Sequence, residues 1–281
     1  MKIGITGATG QLGRLVVEKL QQRVASDKIV ALVRSPQKAK TFGLQTREFD
    51  YNKPSLLAAS LKGIDSLLLI SANQVGLRKA QHENVINAAK QANIKWIVYT
   101  SLLHADTAHM SLATEHIQTE QMLADSGIPY TILRNGWYTE NYSASVPSSI
   151  QAGSFYGCAD EGKISSATRE DYAEAAAAVL TTEGHLGKVY ELSGDDHYTL
   201  SDLAAEVSKQ IGKEIPYTNL SEEGFAAALI ALEVPEEYAK IIANMDVGAA
   251  KDDLYDPGHT LSELIGRPTT PLSVVIKREL T

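Results

Sequence analysis

The sequence predicts an α/β fold, a doubly wound parallel sheet with a smaller, more helical C-terminal part. Three observations carry this. Short apolar runs alternate with amphipathic stretches from residue 3 to residue 133. The connections are long enough for right-handed parallel crossovers. The run Leu67-Leu68-Leu69-Ile70 is apolar without alternation, as a strand covered on both faces must be. Beyond Asn141 the pattern loosens, which divides the chain into a layered domain over 1–141 and a smaller covering part over 142–281, some of whose segments are free to rejoin the sheet.

The elements follow in order. Ile3-Gly4-Ile5 is a first strand, and Leu15, Val16, Leu20 and Val24 give the next stretch a helical apolar face. Strands are expected over Lys28–Val33, Gln45–Phe49 and Ile64–Ile70, with a helix over Lys53–Leu61. Helical spacing over Arg78–Ala92 precedes a strand at Trp96–Tyr99, and a helix over Leu112–Ala124 precedes a strand at Tyr130–Leu133. In the C-terminal part, Val189–Leu192 reads as a strand. Leu200–Ile211 reads as a helix opened by Thr199 with Asp202 three residues on, and Ser221–Leu232 as another. Thr260-Leu261-Ser262-Glu263 repeats the capping pattern ahead of a last short helix.

Between the first strand and first helix lies Gly7-Ala8-Thr9-Gly10-Gln11-Leu12-Gly13. A backbone that turns sharply and admits a pyrophosphate needs residues without Cβ, and the following helix points its positive end at the anion. The spacing G-x-x-G-x-x-G departs from the G-x-G-x-x-G fingerprint, so the strand before and helix after it carry the reading. The choice of dinucleotide falls to the end of the second strand, about 20 residues beyond the glycines, where a carboxylate would hold a ribose diol. Arg34 stands there, with Lys38 and Lys40 nearby. A guanidinium pairs with a 2′-phosphate through a planar fork, so NADPH is the expected cofactor, against the alternative of a solvated surface arginine.

Composition narrows the class. With 44% hydrophobic and 21% charged residues, the 281-residue chain is ordinary for a globular protein. A net charge of -8 and no basic stripe argue against nucleic acid as a partner. No apolar run approaches the ~18 residues of a membrane span, and Met1-Lys2 leads straight into the first strand without a signal segment, so a cytoplasmic protein with no integral membrane association is expected. Cys158 is the single cysteine, which excludes an intramolecular disulfide, and the seven histidines show no metal-ligand spacing. A homodimer is expected only from the prevalence of two-fold assemblies.

Ligands of doubly wound sheets collect beyond the carboxyl ends of the strands. Those segments read Ser71-Ala72-Asn73, Thr100-Ser101-Leu102-Leu103-His104 and Arg134-Asn135-Gly136-Trp137-Tyr138.

Together with GATGQLG and the strand ending in Arg34, the stretches Tyr99–Asp106, Arg134–Tyr142 and Leu264–Thr270 resemble the bacterial NADPH-dependent quinone oxidoreductases of the NmrA-like atypical short-chain dehydrogenase family, over nearly the whole chain. The resemblance implies a Rossmann domain, NADPH, and quinones as substrates. By position it implies Gly7, Ala8, Thr9, Gly10, Gln11 and Leu12 at the pyrophosphate, Gly13 in the same cofactor-binding turn, and Arg34 at the 2′-phosphate. It puts Ser71, Ala72 and Asn73 near the ribose and nicotinamide. Asn135, Gly136, Trp137, Tyr138, Thr139 and Glu140 border the nicotinamide and substrate pocket.

Most short-chain dehydrogenases protonate substrate with a tyrosine four residues before a lysine, and none of the 12 tyrosines here has that lysine. The lysine that some NmrA-like reductases use aligns with Gln118. Quinone reduction asks less of the protein: hydride transfer yields a stabilised hydroquinone anion that water can protonate, and the site must align two flat rings. Tyr138, Ser101 and His104 are the catalytic candidates, and Trp137 and Tyr138 the aromatic walls. Each has a plainer alternative: Trp137 as a core plug, Ser101 as a turn or helix cap, His104 as a structural or solvated residue. Two other functions remain open at this point, a non-catalytic NADP(H)-binding redox sensor of the same family and a triarylmethane dye reductase.

Overall fold

A computed structural model describes residues 1–281. The elements run β1 (Ile3–Thr6), α1 (Gln11–Gln21), β2 (Ile29–Val33), β3 (Gln45–Glu48), α2 (Pro54–Leu61), β4 (Ser66–Leu69), α3 (Arg78–Gln91), β5 (Trp96–Leu102), α4 (Ala113–Asp125) and β6 (Tyr130–Asn135). They continue with α5 (Thr139–Ser143), α6 (Val146–Ala152), β7 (Phe155–Gly157), α7 (Arg169–Thr181), β8 (Val189–Leu192) and α8 (Leu200–Ile211). The chain ends with β9 (Tyr217–Asn219), α9 (Glu222–Ala231), α10 (Glu236–Ala249), α11 (Thr260–Ile265) and α12 (Leu272–Glu279).

The main sheet has seven strands in the order β3-β2-β1-β4-β5-β6-β8, all pairs parallel. The order reverses between β1 and β4, which opens the crevice where ligands of such sheets bind. Because every strand points the same way, the Gly7 turn, Arg34, the Ser71 loop and the Gly136 segment leave the sheet at one edge.

Burial on both faces explains the apolar strands. Ile3, Ile5, Val98 and Leu133 share one core with α1 and α7, while Leu67, Leu69, Ile97 and Tyr99 share another with α2, α3 and α4. A third core, built around Leu200, Leu203, Val207, Met245 and Ile276, holds the C-terminal part together. A two-stranded parallel ribbon of β7 and β9 lies in that part.

Several details extend, match or depart from the sequence reading. β5 runs on to Leu102 and β6 to Asn135, because Thr100, Ser101 and Leu102 pair in register with Leu133, Arg134 and Asn135. Segments beyond residue 141 lie in the main layers: β8 pairs with β6, and α7 packs on α1. Thr199 and Asp202 form the expected capping box of α8. At α11 the pattern does not cap, since Thr260 is already helical and His259 occupies the cap position without a side-chain bond.

Candidate functional site

The turn after β1 is built for an anion. Gly7 has φ +58°, in the left-handed region, and the Gly10 amide donates to the Gly7 carbonyl at 2.8 Å. One turn into α1, a Cβ on Gly13 would overlap the Gly7 oxygen and stand 2.8 Å from Ala8 Cα, so only glycine lets the helix start this close to the strand. Ala8, Leu12 and Gly13 are buried, whereas Gly7, Thr9, Gly10 and Gln11 face solvent. No side chain caps α1 and its first turn holds no acidic residue, which leaves the positive helix end available. Arg34 is exposed at the end of the neighbouring β2, with Lys38 and Lys40 also exposed.

At the end of β4, Ser71 and Ala72 are half-buried and Asn73 is exposed. The Ser71 amide donates to Thr100 Oγ1 at 2.9 Å, and the Ala72 amide to His82 Nε2 at 3.0 Å. Since that nitrogen accepts, the proton sits on Nδ1, which faces Thr119 Oγ1 at 2.9 Å. Burial, then the nearby Arg78 charge, pushes the His82 pKa down to about 3 and keeps the ring neutral.

Ser101 and Arg134 face α4. Ser101 Oγ donates to Glu120 Oε1 at 2.5 Å. Arg134 grips the same carboxylate with Nε at 3.0 Å and Nη2 at 2.8 Å, and reaches Glu191 at 2.8 Å and Asp106 at 3.0 Å with Nη1. Burial works against the Arg134 charge, but the bonds to Glu120, Glu191 and Asp106 outweigh it and raise its pKa. Ser101 is therefore committed to a strand-locking network. His104 has φ +50°, bonds the Tyr255 carbonyl through Nε2 at 3.2 Å, and lies 3.7 Å from Asp256 and 3.8 Å from Glu191. It joins the sheet end to the loop after α10.

The segment Asn135–Glu140 runs across the top of β6. Asn135 Oδ1 and Trp137 Nε1 are buried with no partner in the protein. The Gly136 amide donates to Leu192 O at 2.7 Å, and a Cβ there would stand 2.9 Å from the Tyr172 hydroxyl. Trp137 packs against the C-terminal core and lies 6.3 Å from the Tyr142 ring. Tyr138 meets Tyr172 edge-on at 5.3 Å, with the Arg169 guanidinium 4.5 Å above its ring. Burial raises the Tyr138 phenol pKa, only partly offset by Asn135 and Arg169. Thr139 bonds Ser166 at 2.8 Å, and Glu140 accepts from the Arg169 amide at 3.0 Å.

The structure thus gathers the Gly7 turn, Arg34, Ser71–Asn73 and Asn135–Glu140 at one sheet edge, while Ser101 and His104 are held in structural contacts. Gln118 is half-buried on α4. A pocket of about 570 Å³ lies elsewhere, between Cys158, Asn219, Ser221 and Lys251 in the C-terminal part. Sequence reasoning missed Arg169 and Tyr172, which hold Tyr138; the capping pair Thr168 and Asp171 was the signal that opens their helix.

The glycine cradle and the two orphaned polar atoms fit a dinucleotide with its reactive end beside Asn135 and Trp137. Comparison with known proteins agrees: residues 7–183 match the model of the NAD(P)H-binding family. The chain belongs to that family. It is 56% identical to Quinone oxidoreductase 2 of Escherichia coli (strain K12) over 96% of each chain. Among solved structures it is similar to an E. coli NADPH-dependent quinone oxidoreductase complexed with NADPH, with TM-score 0.97, 55% identity and coverage of 99% of this chain and 100% of the other. It also resembles the Citrobacter sp. triphenylmethane reductase complexed with NADP(H), with TM-score 0.96 and 36% identity over 99% and 100% of the two chains. No helix is long and apolar enough to cross a membrane.

Proposed function

We propose that this chain is an NADPH-dependent quinone oxidoreductase that passes hydride directly from the nicotinamide to a flat quinone ring. The observation that carries the reading is the pair Asn135 Oδ1 and Trp137 Nε1, buried and unpartnered beyond the carboxyl end of β6, the sheet end from which the glycine turn also leaves, on a chain 56% identical to a quinone oxidoreductase. A buried polar atom without a partner costs about 1–3 kcal/mol, which a bound ligand removes.

Bound NADPH supplies the hydride. The amides of Gly7–Leu12 and the α1 terminus hold its diphosphate, and Arg34 pairs with its 2′-phosphate. Ser71–Asn73 borders the ribose, and Asn135–Glu140 borders the nicotinamide and the acceptor. Tyr138, fixed between Tyr172 and Arg169, gives the quinone a rigid flat wall, and Trp137 closes the side toward the C-terminal part. When a quinone carbonyl oxygen accepts the hydride, the quinone becomes a hydroquinone monoanion whose remaining oxyanion takes a proton from water, and Ser101 stays bound to Glu120.

Residues 1–141 with the returning β8 and α7 form the NADP-binding domain in this reading, and the remainder of 142–281 covers the substrate. Stopped-flow mixing of the NADPH-loaded protein with benzoquinone tests the function: NADPH absorbance should fall only when quinone is present. Equal traces with and without quinone would reject it.

A further inference from the structure

Of the residues that leave the sheet toward the proposed cofactor, Ser71 and Ala72 are held by side chains alone. No backbone–backbone hydrogen bond involves the Ser71 or Ala72 peptide. Thr100 Oγ1 takes the Ser71 amide, His82 Nε2 takes the Ala72 amide at 3.0 Å, and Arg78 Nε donates to the Ala72 carbonyl at 2.8 Å. Arg78 and His82 lie one turn apart on α3, so from one helix face the two side chains reach the carbonyl and the amide of the same residue, Ala72, in two successive peptides. Each is backed by a residue at the same spacing on α4: Arg78 Nη1 meets Glu115 at 3.1 Å, and His82 Nδ1 meets Thr119 Oγ1 at 2.9 Å. Glu115 also takes the Gly76 amide at 3.0 Å, anchoring the far end of the loop.

This arrangement is costly. Arg78 and His82 are 5% and 0% exposed, and desolvation works against the charged form of both. Thr119 Oγ1 donates to the Glu115 carbonyl at 2.9 Å, so toward His82 it can only accept. That requirement puts the imidazole proton on Nδ1 and leaves Nε2 as the acceptor the Ala72 amide needs.

We propose that Arg78 and His82 are positioning residues for the nicotinamide half of NADPH: backed by Glu115 and Thr119, they clamp the backbone on both sides of Ala72 in the orientation that the bound cofactor meets. The inference rests on the proposed seating of NADPH against Ser71–Asn73. The clamp acts on cofactor binding and leaves the quinone wall, built from Asn135–Tyr138, untouched.

Three variants test it. Thr119→Val keeps the shape but removes the acceptor for Nδ1–H, which leaves a buried donor unpaired and takes away the contact that fixes the ring against the Ala72 amide. His82→Leu removes the acceptor outright. His82→Gln returns an amide oxygen near the place of Nε2. NADPH affinity should be read by fluorescence titration and KM, with unfolding temperature measured alongside. Thr119→Val and His82→Leu should raise both Kd and KM for NADPH about ten-fold, the loss of one buried hydrogen bond, with the KM for benzoquinone within about two-fold. His82→Gln should recover most of the loss. NADPH binding at wild-type strength in folded Thr119→Val would overturn the clamp, as would a His82→Gln protein as impaired as His82→Leu. If His82→Leu does not fold, Thr119→Val decides alone. A wild-type protein that binds NADPH without reducing quinone would reject the proposed function, while the Kd comparison still judges the clamp.

Discussion

Gly13 sits so close to Gly7 that a single methyl group between them has no room: a Cβ on Gly13 would collide with the Gly7 oxygen and lie 2.8 Å from Ala8 Cα. Both obstacles are backbone, so no side chain can swing aside. Gly13→Ala should push α1 off the turn and cost about 1–3 kcal/mol by overpacking. Loss of NADPH protection in thermal unfolding checks it. Gly10, whose Cβ would only graze the Gly7 oxygen at 3.1 Å, should tolerate alanine with a smaller fall in melting temperature.

Arg34 is exposed beside the cradle and engaged in no ion pair with the protein, so its charge is free for the 2′-phosphate. Charge-assisted bonds contribute about 1.5–3 kcal/mol. Arg34→Ala should therefore weaken NADPH by roughly ten-fold to a hundred-fold and leave NADH nearly unchanged, as parallel fluorescence titrations would show. Equal losses for the two coenzymes would remove Arg34 from the site.

These two positions were legible in the sequence because their chemistry is local: a glycine turn and the residue closing the next strand have a fixed place along the chain. What was illegible depended on distant partners. That Glu120, nineteen residues on, holds the Ser101 hydroxyl at 2.5 Å could not be read from the chain. The helix α7 was overlooked because Ala173 and the run from Ala175 to Leu180 are buried almost without interruption, erasing the one-sided periodicity that marks a surface helix. With α7 went Arg169 and Tyr172, the two residues that fix Tyr138.

Ser101→Ala separates the structural role from the catalytic one. It removes one hydrogen bond to Glu120, worth about 1 kcal/mol, while Arg134 keeps its two bonds to that carboxylate. Turnover with saturating NADPH and benzoquinone should stay within about two-fold of wild type, and a fall of the ~100-fold size typical of a lost general acid would reinstate Ser101 as a catalyst. Arg134→Met, by contrast, should destabilise by about 3–5 kcal/mol because it strands the Glu120 charge in a buried place.

Asp246 is 2% exposed; burial lifts its pKa to about 6, despite bonds from the Cys158 amide at 3.0 Å and the Tyr142 hydroxyl at 2.8 Å. Its folded pKa lies above the unfolded value of 3.8, so between the two the native state holds the extra proton and stability falls as pH rises. The wild type should lose up to about 3 kcal/mol relative to Asp246→Asn on going from pH ~4 to pH ~7. Denaturant titrations of both proteins across that range would show it, and a pH-independent difference would contradict the raised pKa.

Trp137 offers the sharpest test of the acceptor site, because its indole does two separable things. Its ring packs against the C-terminal core and Tyr142, while Nε1 is buried without a protein partner. Trp137→Phe keeps a six-membered aromatic ring and deletes the donor together with the pyrrole part of the indole. If Nε1 serves the bound quinone or cofactor, the melting temperature of the free protein should hold or rise, since an unsatisfied donor has been removed. The kcat/KM for quinone should then fall by roughly ten-fold, the equivalent of one hydrogen bond made only in the complex. A core plug would behave the opposite way, losing stability through the smaller ring while sparing kinetics. Measuring unfolding and kcat/KM on the same preparation therefore distinguishes wall from plug.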